Sequence, residues 1–173
     1  NDFYVANDLD NSIVGWWRFE GDASDDSQYG NDGTVHNARL NDSGRFGRGY
    51  EFDGDDYIDL PDILNNIDAN LTWSAWVKYN SLGTSGIVGS APGTSYSYPA
   101  SGGLYNVGGK IRAGYYNGSA YIYAEGPNCD LNRWYHAVAA WASSDNNMSL
   151  YLDGSYIDSA SAGPISNLNR QQA

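Results

Sequence analysis

Apolar and polar residues alternate with a period of two along several short stretches of this chain. The clearest stretch is 71–79, where one face carries Leu71, Trp73, Ala75, Val77 and Tyr79. Such alternation predicts a β-strand, because successive side chains of a strand point to opposite faces. The other face is polar except for Trp76, which indicates that this face is partly covered or presents an aromatic ring.

Turns rich in Gly, Asn and Asp separate the predicted strands. Asn117-Gly118 and Asp153-Gly154 indicate two-residue hairpins, since these residue types tolerate positive φ. The turn at 54–56 predicts a further hairpin within 52–60, and a short helical turn fits 62–67. The predicted strands span residues 13–19, 34–36, 49–52, 71–79, 86–89, 104–107, 110–116, 120–124, 133–141, 148–153 and 156–160. About a dozen strands without a substantial helix indicate an all-β fold of two packed antiparallel sheets.

Length and charge narrow the organisation and the partners of the chain. Its 173 residues suit one domain at 13–173, preceded by an arm or linker at 1–12. The formal charge of −12 repels phosphate backbones and anionic membranes, so we expect no nucleic acid partner and no membrane insertion. The same acidity is compatible with bound cations, neutral glycans or a salty medium, but it is explained more simply by a surface kept soluble by its charge.

Two features agree with a location outside the cell. The chain starts at Asn1 rather than Met, as expected of a processed chain or of a fragment. Four asparagines lie in N-x-Ser/Thr sequons and would accept glycans in a compartment that holds the transferase. They are Asn41, Asn70, Asn117 and Asn147. We expect a secreted or cell-surface protein.

Seven short motifs follow one another along the chain. They are GWWRF at 15–19, DDSQYGNDGT at 25–34, GRGYEFD at 47–53, DDYI at 55–58, LTWSAWVK at 71–78, RWYHAV at 133–138 and LYLDG at 150–154. In this order the chain resembles the laminin-G-like, concanavalin A-like lectin/glucanase superfamily. The resemblance implies a jelly-roll sandwich and a non-catalytic carbohydrate-binding or adhesion module, with a glycan or a cell-surface glycoprotein as partner. Large rings are expected to dominate the core between the sheets, namely Trp16, Trp17, Trp73 and Trp134.

The chain departs from the family pattern at its end. Family members usually close with a strand of the type Gly-x-Ile-Asp-Glu-Val-Arg-Ile beside the first strand, whereas residues 169–173 lack this pattern. An unpaired strand at 13–19 would invite pairing with another chain. We therefore expect a strand from a neighbouring subunit, a cleaved remainder or the N-terminal arm. A structural subunit of an extracellular or cell-surface assembly is the second functional hypothesis.

One loop concentrates oxygen-bearing side chains, and family members often hold a structural calcium ion there. Calcium prefers six to eight oxygen ligands from carboxylate, amide and carbonyl groups. The candidate ligands are Asp22, Asp25, Asp26, Asn31 and Asp32. The alternative is that these side chains bond the backbone of their own loop without any metal.

Tyrosines are concentrated in and beside the most irregular part of the chain. A tyrosine offers a sugar an apolar ring face and a polar rim. The candidate ligand-binding residues are Tyr96, Tyr98, Tyr105, Tyr116 and Tyr121. The alternative is that alternate members of the pairs at 115–116 and 121–123 are core residues and cross-strand pairs.

Catalysis is the third hypothesis, in the form of a glycan hydrolase or lyase. Glu51, Asp53 and Asp56 are similar to the E-x-D-x-x-E arrangement of jelly-roll glucanases, but the third carboxylate is Asp and Gly54-Asp55 indicates a turn. Neither histidine has an obvious partner, and the only cysteine, Cys129, lies in a predicted loop. We predict no catalytic residue.

Overall fold

The computed structural model describes residues 12–63, 70–90, 102–116 and 119–161. The chain divides into two compact units, Asn1–Ile63 and Leu64–Ala173. Within the described residues there are twelve β-strands and no α-helix, as predicted. The predicted organisation into an arm at 1–12 and a single domain at 13–173 stays a prediction.

The first unit contains four short strands in two two-stranded antiparallel sheets, β1–β4 and β2–β3. They are β1 (Thr34–His36), β2 (Arg39–Asn41), β3 (Gly49–Glu51) and β4 (Tyr57–Asp59). The strands predicted at 34–36 and 49–52 are confirmed as β1 and β3. The hairpin predicted within 52–60 is wrong, because β3 pairs with β2 whereas β4 pairs with β1. Between them the backbone N–H of Asp53 donates to the Asp56 carboxylate at 2.7 Å, which forms a local turn.

The predicted strand at 13–19 is also wrong. It forms one isolated antiparallel bridge, between Trp17 and Asp25. At Phe19 the φ angle is +59°, which ends any extended conformation. Trp16 is 52% exposed and therefore not a core residue, contrary to the prediction. Completion of the fold by a strand from another chain or from the N-terminal arm stays a prediction.

The second unit consists of two four-stranded antiparallel sheets, with strand orders β12-β11-β10-β5 and β6-β7-β8-β9. These two sheets confirm the predicted antiparallel sandwich. The strands are β5 (Leu71–Lys78), β6 (Thr84–Ser90), β7 (Gly102–Val107), β8 (Lys110–Tyr116), β9 (Tyr121–Asn128), β10 (Trp134–Ala142), β11 (Asn147–Leu152) and β12 (Ser155–Ser161).

Alternate residues of both sheets form the core of this unit. The fully buried side chains include Leu104, Ile111, Met148 and Leu150, and burying each stabilises the fold by roughly 1.5–3 kcal/mol. In β5 the predicted alternation is confirmed, with Trp73 only 7% exposed. Trp134 instead lies on the outer face beneath the Lys78 ammonium, 5.0 Å from its ring, because Tyr135 takes the inward position.

The two sheets meet directly at one edge of the sandwich, where β9 lies near β12. A Cβ atom placed on Gly126 would lie 3.1 Å from Cδ1 of Leu152 in the opposite sheet. The backbone N–H of Glu125 donates to Asp158 Oδ2 at 3.0 Å across the same boundary. This bond satisfies an edge-strand donor that would otherwise face outwards.

Two predicted turns have different outcomes. The Asp153-Gly154 hairpin is confirmed, with φ angles of +51° and +80° at the two residues. Asn117-Gly118, predicted as a two-residue turn, lies outside the described residues. The flanking pair is Tyr116 with Tyr121, so four residues separate the paired positions. A two-residue turn would pair 116 with 119. Of the helical turn expected at 62–67, residues 64–67 also lie outside the described residues.

We expect the substitution Gly154→Ala to lower the free energy of unfolding by about 1 kcal/mol, because an alanine at positive φ is strained. Open space surrounds the Cβ position, so strain in the backbone is the only cost. Urea denaturation measures the change.

Gly83→Ala is the matched control, since its Cβ position is equally open and its φ is not positive. It should leave the stability unchanged or raise it slightly. Equal losses in the two variants would contradict the assignment of the turn.

Candidate functional site

The outer face of the β8–β9 ribbon carries a row of tyrosines and charged side chains. Inward-pointing Ile111, Ala113 and Ala124 are fully buried, so the residues between them point outwards. The cross-strand pairs on the outer side are Tyr116 with Tyr121, Gly114 with Tyr123, and Arg112 with Glu125. We call this surface the β8–β9 face and define it by Lys110, Arg112, Tyr116, Tyr121, Tyr123 and Glu125.

Three tyrosines occupy one end of the β8–β9 face. Tyr116, Tyr121 and Tyr123 are 38%, 40% and 39% exposed. The rings of Tyr116 and Tyr121 lie 5.0 Å apart with their planes tilted by 47°. Positions two residues apart on a strand are about 7 Å apart, so the tyrosines form a continuous aromatic strip. The strip has both apolar ring surface and polar edges.

A glycine lets two of the rings approach the sheet closely. A Cβ atom on Gly114 would lie 2.7 Å both from the hydroxyl oxygen of Tyr105 and from Cβ of Tyr123. Tyr105 therefore lies on the same side of the sheet, but it is only 2% exposed and offers a ligand no surface in this structure. Tyr96 and Tyr98 lie outside the described residues. Of the five predicted tyrosines, the β8–β9 face thus brings together Tyr116 and Tyr121.

The other end of the β8–β9 face is an ion cluster around Glu125. One carboxylate oxygen of Glu125 binds the Lys110 ammonium, and the other accepts from Nε of Arg112 at 2.8 Å and from its Nη2. The Arg112 guanidinium also lies over the ring of Tyr123, 4.1 Å from its centre. Hydrogen bonds from Lys110 and Arg112 lower the pKa of Glu125, so the carboxylate is ionised at neutral pH.

These charged residues and Tyr123 were missed by the sequence interpretation. Arg112 and Glu125 are 13 residues apart in the sequence and become neighbours only through the register of the ribbon. That register was the missing signal, because the two-residue turn expected at 117–118 would pair Arg112 with Tyr123 instead of with Glu125.

The loop predicted to bind calcium is organised by the carboxylate of Asp25. Its Oδ1 accepts from the backbone N–H groups of Trp16 at 2.7 Å and Ser27 at 2.8 Å. Its Oδ2 accepts from the Ser27 hydroxyl at 2.6 Å and from the N–H of Asn31 at 2.8 Å. Partial burial raises the pKa of Asp25, but the hydrogen bonds from Ser27, Trp16 and Asn31 outweigh it and hold the pKa to about 2.

The other candidate ligands of this loop also bond protein groups. Asp32 accepts from the N–H of Asp25 at 2.8 Å, Asp22 from the N–H of Ser24 at 3.0 Å, and Asp26 pairs with Arg18. Asn31 donates to a backbone carbonyl at 2.7 Å. No three of these carboxylates bring their oxygens within 4.8 Å of one another. In this structure the side chains of the loop bond protein groups, and calcium binding here stays a prediction.

One group of acidic side chains among the described residues does converge. Carboxylate oxygens of Asp53, Asp55 and Asp56 lie within 4.8 Å of one another in the turn after β3. The turn removes the continuous strand that a glucanase-like arrangement of Glu51, Asp53 and Asp56 would need. Exposed acidic groups of this kind are common without a metal.

Both histidines have aromatic partners that the sequence did not reveal. His36 stacks on Tyr57 with ring centres 4.3 Å apart, and His136 stacks on Trp76 at 5.0 Å. Nε2 of His136 also lies 2.9 Å from the Ser74 hydroxyl. Trp76 is 39% exposed. The polar face of β5 therefore presents an aromatic ring, which is one of the two outcomes that the alternation predicted.

The two four-stranded antiparallel sheets have the architecture of a concanavalin A-like sandwich. In agreement, the family model of the concanavalin A-like lectin/glucanases superfamily, of laminin G type, matches residues 52–172. The chain belongs to this superfamily, which confirms the resemblance. Four of the seven motifs lie wholly inside the match, two lie upstream of it, and the motif at 47–53 crosses its start. Such domains are in general carbohydrate-binding or adhesion modules, although the fold also includes glycosidases.

A search of curated proteins finds no match to the chain. Among the described residues, none belongs to a helix long and apolar enough to cross a membrane.

We expect Asp25→Ala to lower the free energy of unfolding by about 3 kcal/mol, because four donors lose a charged acceptor. The pKa of Asp25 is lowered from 3.8 to about 2, so its contribution is present above about pH 4 and disappears as the pH falls to about 2. The difference between wild type and variant should shrink over that range. Urea denaturation followed by tryptophan fluorescence measures it.

Asp22→Ala is the control, since Asp22 accepts one backbone hydrogen bond at 3.0 Å in the same loop. It should cost about 1 kcal/mol or less. A cost for Asp25→Ala no greater than for Asp22→Ala, or one independent of pH, would show that Asp25 does not organise the loop.

Proposed function

We propose that this chain is a non-catalytic, extracellular carbohydrate-binding module that contacts its glycan through the β8–β9 face. The observation that carries the proposal is the strip formed by Tyr116, Tyr121 and Tyr123, each more than a third exposed, beside the cluster of Glu125. Exposed aromatic rings next to converging polar groups are the usual composition of a site that binds a small polar ligand.

The chemistry of the strip suits a sugar. A tyrosine ring packs against the apolar C–H groups of a pyranose, while its hydroxyl exchanges hydrogen bonds with sugar hydroxyls. The rings of Tyr116 and Tyr121 pack against each other, and the Arg112 guanidinium lies over the ring of Tyr123, so part of the side-chain freedom is already restricted before a ligand binds. The row along the strands favours an extended oligosaccharide, as on a polysaccharide or a cell-surface glycoprotein.

The single carboxylate among the residues that define the β8–β9 face supports binding rather than hydrolysis. Most glycosidases use a pair of carboxyl groups, one of which donates a proton. Glu125 is the one carboxylate of the face, and both of its oxygens are engaged by Lys110 and Arg112. Its lowered pKa keeps it ionised, which is the wrong state for a general acid.

An extracellular location fits the surface of the chain. The charge of −12 keeps the chain apart from nucleic acids and anionic membranes. The sequon residues Asn41 and Asn70 lie on exposed positions, where a glycan would meet no obstacle from the core.

We expect Tyr121→Ala to weaken glycan binding by about tenfold or more, because a central aromatic contact contributes at least about 1.4 kcal/mol. A glycan array with the wild-type protein identifies the oligosaccharide, and isothermal titration calorimetry then compares wild type and variant. Running the array with calcium and again with a chelator tests the calcium prediction as well.

Tyr156→Ala is the matched control, since Tyr156 is a 57% exposed tyrosine on β12 of the other sheet. Its affinity should equal that of the wild type. If both variants bind alike, the β8–β9 face is not the contact surface. If the wild-type protein binds no glycan in either buffer, the proposed function is wrong.

A further inference from the structure

We infer that Glu125 determines the ligand class of the β8–β9 face and makes it selective for neutral over anionic glycans. This inference rests on the proposed function, because it concerns the same face. It goes further in naming the charge of the ligand and the residue that sets it.

The two cations of the face already hold a carboxylate. Lys110 binds one oxygen of Glu125, and Nε and Nη2 of Arg112 both bind the other. An arginine edge recognises a carboxylate or sulfate through this same pair of parallel donors. A uronate or sulfate group would therefore have to displace Glu125, which competes from within the chain at a high effective concentration.

The other surface of the Arg112 guanidinium is engaged as well. Its plane lies over the Tyr123 ring, and its side chain is only 18% exposed, against 27% for Glu125. A partly buried arrangement of this kind is harder to exchange than an exposed ion pair, which is worth about 0–1 kcal/mol. Both cations of the cluster are therefore presented to a ligand already bonded to a carboxylate.

Charges farther away act in the same direction. Lys110, Arg112 and Glu125 together carry one positive charge, on a chain whose formal charge is −12. An approaching polyanion meets a repulsive field that one local positive charge does not cancel. A neutral oligosaccharide is insensitive to this field and still finds donors, acceptors and aromatic rings along the row.

The variant Glu125→Gln tests the inference, since it keeps the shape and removes the internal carboxylate. The probes are neutral hexose oligosaccharides and oligogalacturonides of matched length, with affinity measured at low and at physiological salt. We expect the wild type to prefer the neutral probes by about tenfold or more. In Glu125→Gln, the ratio of oligogalacturonide to neutral affinity should rise about tenfold, and the new binding should weaken with salt.

Asp42→Asn is the matched control, because it removes the carboxylate partner of another arginine, Arg48, in the first unit of the chain. It should leave the preference of the wild type unchanged. If Asp42→Asn raises the ratio of oligogalacturonide to neutral affinity as much as Glu125→Gln does, then net charge, and not Glu125, sets the selectivity.

The remaining outcomes separate this inference from the proposed function. A wild type that binds neither probe class, nor any glycan of the array, overturns both. A wild type that prefers oligogalacturonides, or a Glu125→Gln variant that binds neutral probes without gaining affinity for the acidic ones, overturns the inference alone. If Glu125→Gln does not fold, the inference is still tested by the wild-type protein, through its relative affinity for the neutral and acidic probes and the dependence of that affinity on salt.

Discussion

The contacts between the inner faces of the two four-stranded sheets determine which side chains reach the solvent. Strand residues alternate, so placing Ile111, Ala113 and Tyr115 against the opposite sheet turns Tyr116 and Arg112 outwards. A shift of one residue in β8 would bury the charged groups and expose the core. The composition of the β8–β9 face is thus a consequence of core packing.

Glu125 connects the stability of the sandwich with the chemistry of its surface. Its backbone N–H is bound by Asp158 from the opposite sheet, while its carboxylate binds Lys110 and Arg112 on the outer side. The same residue therefore closes an edge of β9 and neutralises a cation of the candidate site. The tyrosine strip begins beside it, at Tyr123, so the polar and aromatic parts of the face share one support.

Local patterns in the sequence predicted local structure well. The alternation in β5 and the hairpin at Asp153-Gly154 depend on neighbouring residues and were confirmed. The predictions that failed concern which segments bond to each other and in which register. Residues 13–19 read as a strand, but Asp25 binds the backbone of Trp16 and shapes the segment differently. Tyr116 and Tyr121 were found as candidates from their residue type alone. Glu125 was not, because its position opposite Arg112 follows from a register that differs by two residues from the expected one.

The most direct test of the central claim is a nuclear magnetic resonance titration of the isotope-labelled protein with an oligosaccharide that it binds. The account predicts that amide shift changes concentrate in β8 and β9, strongest around Tyr121, Tyr123 and Glu125, and leave β10 and β11 unaffected. Shift changes confined to the first unit, or to the outer face around Trp76, would place the ligand elsewhere and contradict the account.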